Sequence, residues 1–285
     1  LQIVAIWAQA RCRNVIMQST DSSVRTRRNE FVKIDIKDGA SGVLFRKASA
    51  KNVPTIRSGV LGQELAANLA MRALFEKLAG KGLVLGKFTE GAMIPCVIDR
   101  TPGYFASLDA VCRSVDELGK DEKLAVAGDA AFACSMTWIQ LILCLAGNAN
   151  SPHSLQIFPE YVENKFYGVS HLDCGGSFSL EENFSYSFSG KSDSRPCLPP
   201  AIEDKMLDAL KSLNGKDLSD LLTRNGLTDG QVAACLKRRE SMVKFYEGNP
   251  KRVIREEDWG NNSVLKAKGF SEKNWLCFAV CRVRW

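Results

Sequence analysis

The chain has 285 residues, 45% of them apolar and 25% charged, which suits one large globular domain or two lobes and excludes a disordered polar chain. No apolar run approaches the roughly 20 residues that span a bilayer, and the longest, 138–146, reads as a buried helix. The net charge of +6 is a mild basic bias with no specific nucleic-acid signal, and two histidines without a clustered ligand pattern argue against a zinc site.

The ten cysteines form no CxxC pair. Cys134, Cys144, Cys277 and Cys281 sit in apolar company as buried free thiols do, so the working compartment reads as reducing. The basic clusters Arg25-Thr-Arg-Arg28 and Lys237-Arg-Arg239 read as solvated faces. The chain opens on Leu1 rather than Met, which reads as a fragment or processed product.

Residues 1–8 are apolar and 9–30 polar, the latter reading as a mobile connection. Residues 31–50 read as a hairpin. Phe31-Val-Lys-Ile-Asp-Ile36 alternates with period two, Asp38-Gly39 supplies the turn, and 42–48 returns as the second strand. Lys47 sits inside that strand, either facing water at an edge or pointing into a cleft where it would hold phosphates. Residues 59–80 are the clearest helix, with Leu61, Leu65, Leu69, Ala73 and Leu78 near helical spacing and Gly80 and Gly82 beyond. Glu64 lies in its first turns, next to the apolar face.

Two short strands follow, 83–88 and 92–98, and Asp99-Arg-Thr-Pro-Gly103 reads as a linker extending to about 106. The first hundred residues are thus mainly strands with one helix, and the rest mainly helical, which places a domain boundary at 100/101. Residues 107–146 read as two helices, the second from about Leu124 to Leu145, strongly apolar and stopped by Gly147. A polar loop, Asn148-Ala-Asn-Ser-Pro-His153-Ser-Leu-Gln156, runs into a strand, a turn near 161–165, and the strand before His171-Leu-Asp173-Cys-Gly175-Gly176. An aspartate between a strand and a glycine turn either closes the strand or reaches out to a metal ion, with the glycines leaving room for a ligand. Residues 179–200 read as an exposed serine-rich loop, and 202–213, 218–224 and 229–246 as helices, the last with Thr228 or Asp229 at its N-cap. The stretch 275–283 reads as a strand.

Taken in order, strand Lys47, helix Glu64, a buried helix, a polar loop with Gln156 and then Asp173 before Gly175 resemble the protein-kinase-like superfamily. The likeness lies nearest its divergent branches, the phosphoinositide-kinase-like enzymes and the kinase-like effectors that bacteria inject into host cells. His171-Leu-Asp-Cys-Gly175 is similar to the His-Ile-Asp-Phe-Gly metal motif of lipid kinases. The segment 147–157 is similar to a Gly-Asp-x-x-His-x-x-Asn-Ile catalytic loop with an altered gap. The resemblance covers about residues 31–180.

It implies an α+β, two-lobed kinase-like fold with a small β-rich N-lobe over 1–100 and a larger helical C-lobe over 101–285. It also implies an ATP- and Mg-dependent phosphotransferase, in which Lys47 holds the α/β-phosphates and Glu64 fixes Lys47. The turn from Asp38 through Gly39 to Gly42 covers the phosphates, and Asp173 with Gln156 holds magnesium. One departure stands out: no Asp occurs between Gly147 and Glu160. Asn148 or Asn150 stands near its place, and an amide is no base, which leaves His153 as the titratable group there. The acceptor implied is a protein hydroxyl or an inositol lipid, in the reducing cytosol or, for an injected effector, in host cytoplasm with a host activator. The alternatives are a pseudokinase that binds a partner, a lipid kinase and an AMP-transferase on the same fold.

Overall fold

The computed structural model describes residues 24–25, 29–35, 41–47, 58–79, 86–88, 91–95, 102–107, 118–119, 121–122, 125–126, 129–148, 157–162, 165–171, 177–184 and 198–268. Of most strands before residue 198 it describes the backbone alone. Strands β1 (Val24–Arg25), β2 (Asn29–Asp35) and β3 (Ser41–Lys47) are followed by helix α1 (Ser58–Ala79) and strands β4 (Gly86–Phe88), β5 (Gly91–Pro95) and β6 (Pro102–Ser107). Helix α2 (Ala130–Leu145) and the hairpin β7 (Ile157–Val162) with β8 (Lys165–His171) come next. Then follow β9 (Ile202–Glu203), α3 (Asp204–Ser212), α4 (Gly215–Arg224), α5 (Asp229–Gly248), β10 (Val253–Ile254) and α6 (Asn262–Ala267). Early strands and late helices make an α+β chain.

The β2–β3 hairpin is antiparallel, with Asn29 opposite Lys47 and Asp35 opposite Ser41, within two residues of the expected bounds. It belongs to a five-stranded sheet in the order β1-β2-β3-β6-β5. The stretch expected to be a linker supplies β6, which lies between β3 and β5 and pairs Phe105 with Leu44 and with Ala92. Proline is tolerated there because Pro102 is the first residue of its strand. The expected strand 83–88 also departs from expectation. Its described part, β4, lies outside that sheet and runs parallel to β8, in the order β4-β8-β7, with Gly86 opposite Val169 and Phe88 opposite His171.

Helix α1 buries Ala67, Ala70, Met71, Leu74, Phe75 and Leu78, while Leu69 is 41% exposed. Of the expected stripe, Leu78 is buried as expected and Ala73 is half-buried, Leu69 is corrected to an exposed position, and the side chains of Leu61 and Leu65 lie outside the described residues. A step of four residues drifts by about 40° each time around a helix of 3.6 residues per turn, so a run of fours walks off the buried face. The true face alternates steps of three and one.

Helix α2 begins at Ala130 rather than Leu124, because the Asp129 carboxylate accepts from the Ala131 and Phe132 amides at 2.8 and 3.0 Å and caps it. From Phe132 to Leu145 every side chain is buried except half-buried Cys134. An all-round apolar helix has to lie inside the protein, and α2 lies between β8 and β4 on one side and α5 on the other. Helix α5 carries a capping box at Thr228: its hydroxyl accepts from the Gln231 amide, and the Gln231 side chain accepts from the Thr228 amide. Cys134, Cys144 and Cys235 are free thiols. No helix among the described residues is long and apolar enough to cross a membrane.

The ends of the expected exposed loop 179–200 are fastened. Phe184 is buried and meets Phe245 edge to face at 6.5 Å. Tyr246 Oη donates to the Pro199 carbonyl at 2.8 Å, and Arg252 donates to that of Pro200 at 2.8 Å. Proline brings no amide donor but leaves a carbonyl that needs one, and these two side chains supply it.

Candidate functional site

The site is built from the end of α2. An α-helix leaves its last four carbonyls without helical partners. Here Gly147, at φ 67°, turns the chain left-handed. The Gly147 amide reaches the Cys144 carbonyl at 2.9 Å, and the Asn148 amide reaches that of Leu143 at 2.8 Å. This is the paired closure glycine makes possible. The Ile142 carbonyl takes the Ala146 amide at 2.8 Å. The Leu145 carbonyl takes the Arg238 Nε at 2.9 Å and the Cys235 thiol at 3.3 Å. All four are satisfied, three by the amides of Ala146, Gly147 and Asn148 and one wholly by α5.

The turn is then stitched to the segment that follows Asp-Cys-Gly-Gly. The Phe178 amide donates to the Ala146 carbonyl, Ser179 Oγ donates to the Gly147 carbonyl at 2.7 Å, and Asn148 Nδ2 donates to Ser177 Oγ at 3.1 Å. Phe178 itself sits at φ 58°, a left-handed conformation that costs a bulky residue about 1–3 kcal/mol. Its ring is 1% exposed, its amide donates to Ala146 and its carbonyl accepts from Gln231 Nε2 at 3.0 Å, so burial and these two bonds hold the strained backbone in place.

These three rungs close an excursion that leaves at Asn148 and returns at Ser177. It carries His153, Gln156 and Asp173. Its middle is the β7–β8 hairpin, whose register sets Ile157, the residue after Gln156, opposite His171, two before Asp173. The sequence-distant segments 149–156 and 172–176 thus adjoin the same end of one hairpin.

Of the expected site residues, Asn148 is described in full: it is 4% exposed, and its amide nitrogen engages Ser177. Gly42 lies in β3 opposite Ile34 and Ser107, and Lys47 ends that strand. Glu64 lies in α1, and its side chain is outside the described residues, as is that of Lys47. Gly39, His153, Gln156 and Asp173 lie outside the described residues. Among the described residues no group of three or more His, Cys, Asp or Glu side chains could hold a metal ion.

Sequence reasoning missed α5 as part of the site. Gln231, Cys235 and Arg238, at steps of four and three, form one face that reaches Phe178, Leu145, Ser179 and Glu181. Arg238 is 0% exposed, which corrects the expectation of a solvated Lys237-Arg-Arg239 face. Arg239 is likewise engaged, capping the end of α3 through the Leu210 and Lys211 carbonyls at 3.0 and 2.7 Å. The signal was present: Arg238 lies in the stripe of buried Cys235, Met242 and Tyr246, where an apolar residue is expected. Burial pulls its pKa down, and the neighbouring thiols of Cys235 and Cys144 oppose that shift. Burial pushes the Cys235 thiol up to about 12.

No family model matches the chain, and no curated protein matches it in sequence. Among solved structures it is similar to hydra Fam20 with sugar, at 13% identity over 86% of this chain and 90% of that one, TM-score 0.44. It is also similar to the Rio2 kinase of Chaetomium thermophilum in an ADP/Mg2+-phosphoaspartate complex, at 13% identity over 95% and 72%, TM-score 0.31. A further likeness is to APH(2")-IIIa in complex with GDP and kanamycin, at 12% identity over 94% and 99%, TM-score 0.35.

Proposed function

We propose that the chain is a two-lobed, protein-kinase-like phosphotransferase that takes Mg-ATP and phosphorylates a protein hydroxyl. Phosphoryl transfer asks the protein mainly to hold phosphates, metal and acceptor in line. The observation that carries the reading is the three-rung join of Ala146, Gly147 and Asn148 to Ser177, Phe178 and Ser179. It gives the polar loop and the Asp173 turn one rigid base, as a shared metal site requires. In this reading Asp173 and Gln156 hold magnesium, Lys47 holds the phosphates and Glu64 fixes Lys47, and Gly39 together with Gly42 at the start of β3 covers the phosphates. Asp173 and Gln156 would hold the magnesium, whose charge would offset that developing on the phosphates. His153 is the group of this loop suited to carry a proton. The working place proposed is a reducing cytosol, including that of a host cell.

A second reading is favoured by one observation. The loop lacks an Asp, and the nearest stand-in, Asn148, is buried and engaged with Ser177. A pseudokinase that binds nucleotide or a partner without turnover would keep the same join.

The test is the melting temperature with and without ATP and magnesium, for wild type and Asp173→Ala. Ligand at about 100 times its dissociation constant adds about 2.7 kcal/mol, a shift of a few degrees. A magnesium-dependent shift in wild type that disappears in Asp173→Ala supports the site. No shift in wild type sinks it. ATP turnover then separates enzyme from pseudokinase, and the mass added to a substrate separates phosphate from AMP.

A further inference from the structure

A buried arginine has a cost that a helix cap alone does not explain. Arg238 is 0% exposed in a stripe where leucine or methionine would pack, and desolvating a guanidinium is costly. Its hydrogen bonds to Leu145, Ser179 and Glu181 all go to backbone carbonyls. Capping α2 needs the first of these only. The other two hold a segment that is in no helix, and that segment begins just after Asp173-Cys-Gly-Gly. The planar fork of a guanidinium fixes the angle between the groups it joins, which lysine does not. The fit is close: a Cβ on Gly147 would lie 2.6 Å from the Arg238 Cζ, so glycine lets the guanidinium lie flat against the turn.

We propose that Arg238 is a positioning residue of the candidate site: it sets the spacing between the polar loop that opens at Gly147 and the segment that follows Asp173. The proposal rests on the phosphotransferase reading for its consequence, magnesium affinity, and on geometry alone for the joint anchoring of the two segments.

Arg239 supplies the control, since it too caps a helix C-terminus through two carbonyls but touches neither segment. The full chain is compared as wild type, Arg238→Gln, Arg238→Lys and Arg239→Gln. Two quantities are read: the magnesium concentration giving half of the ATP-dependent thermal shift, and amide hydrogen exchange across 145–148 and 177–181. Loss of an outer partner of a metal site typically weakens metal binding about 10- to 100-fold, so Arg238→Gln is expected to raise the magnesium half-point at least about tenfold. Exchange should speed up in both segments together, Arg238→Lys should recover part of each effect, and Arg239→Gln should lower the melting temperature while leaving both readouts as in wild type. A magnesium half-point and exchange in Arg238→Gln that match those of Arg239→Gln overturn the proposal. Should Arg238→Gln fail to fold, Arg238→Lys decides by the same two readouts. A wild type that shows no magnesium-dependent shift overturns the phosphotransferase reading, and exchange alone then decides: joint opening of both segments upholds the anchoring, and unchanged exchange refutes it.

Discussion

Gly147 and Arg238 share one small space: the missing side chain of the glycine is the room the guanidinium fills, with Cζ, Nη1 and Nη2 lying 2.6, 2.7 and 2.8 Å from where a Cβ would stand. Gly147→Ala therefore meets two penalties, a left-handed φ of 67° and a clash with a side chain held by three carbonyls. The expected loss is about 3 kcal/mol, read as a lower urea midpoint at unchanged slope. In an Arg238→Ala background the clash is gone, and the same substitution should cost only about 1–2 kcal/mol. Equal costs in both backgrounds would show that the guanidinium moves aside freely.

Asn148 and Ser177 are both buried, and their 3.1 Å bond joins the two segments. Removing one partner breaks a buried hydrogen bond, so Ser177→Ala and Asn148→Ala should each cost about 1–3 kcal/mol. The double variant should cost little more than either single one, a coupling in a denaturation cycle about as large as one single cost. Strict additivity would mean that the bond contributes nothing in solution.

The Cys235 thiol gives the stability curve an alkaline limb. Burial lifts it from the ordinary 9.0 to about 12, against the opposing pull of Arg238. Below about pH 9 folded and unfolded chains both hold this proton, and its contribution is complete. Above that the unfolded chain releases the proton while the folded chain keeps it, so stability falls as pH rises toward 12. Cys134 and Tyr246, also raised by burial, add to the fall. Cys235→Ser keeps a donor for the Leu145 carbonyl without the ionisation. It should flatten the limb by one proton, about 1.4 kcal/mol per pH unit, in urea titrations from pH 8 to 11. An unchanged slope would refute this assignment.

Glu203 is fully buried, with Lys205 Nζ at 2.8 Å, Trp259 Nε1 at 3.0 Å and the Cys134 thiol at 3.6 Å. For Lys205, burial works against the charge, but the hydrogen bonds to Glu203 and Glu256 outweigh it and raise its pKa. Lys205→Met strands the carboxylate, and with the lysine side chain 32% exposed the expected cost is about 2 kcal/mol. Lys216→Met, which breaks the exposed pair with Asp220, should leave the midpoint unchanged. Equal effects would place Glu203 and Asp220 in equivalent surroundings.

Elements governed by near neighbours were legible in the sequence. Alternation around Asp38-Gly39 located β2 and β3, Gly147 located the end of α2, and Thr228 the start of α5. What failed was decided by distant partners. Pro102-Gly103 looks like a breaker until Pro102 is seen as the first residue of a strand held on both sides. Arg238 looks like surface charge until carbonyls from three positions converge on it. For the site, the sequence offered Lys47, Glu64, Gln156 and Asp173 in order as candidates, but nothing local told that 146–148 and 177–179 lie side by side, because that pairing depends on where the hairpin returns the chain.

The parallel pairing of β4 with β8 has a temporal consequence. On a ribosome, α1 and the strands around it emerge long before Lys165–His171 exists, so Gly86–Phe88 waits with open backbone groups for a partner made much later. Such a late, non-local closure is slow to form, and an unpaired strand left waiting is an invitation to the wrong neighbour. The early part of this protein reaches its final pairing only when the later part is already present, so a nascent chain stopped short of β8 would call for a chaperone's shelter rather than stand as a finished unit.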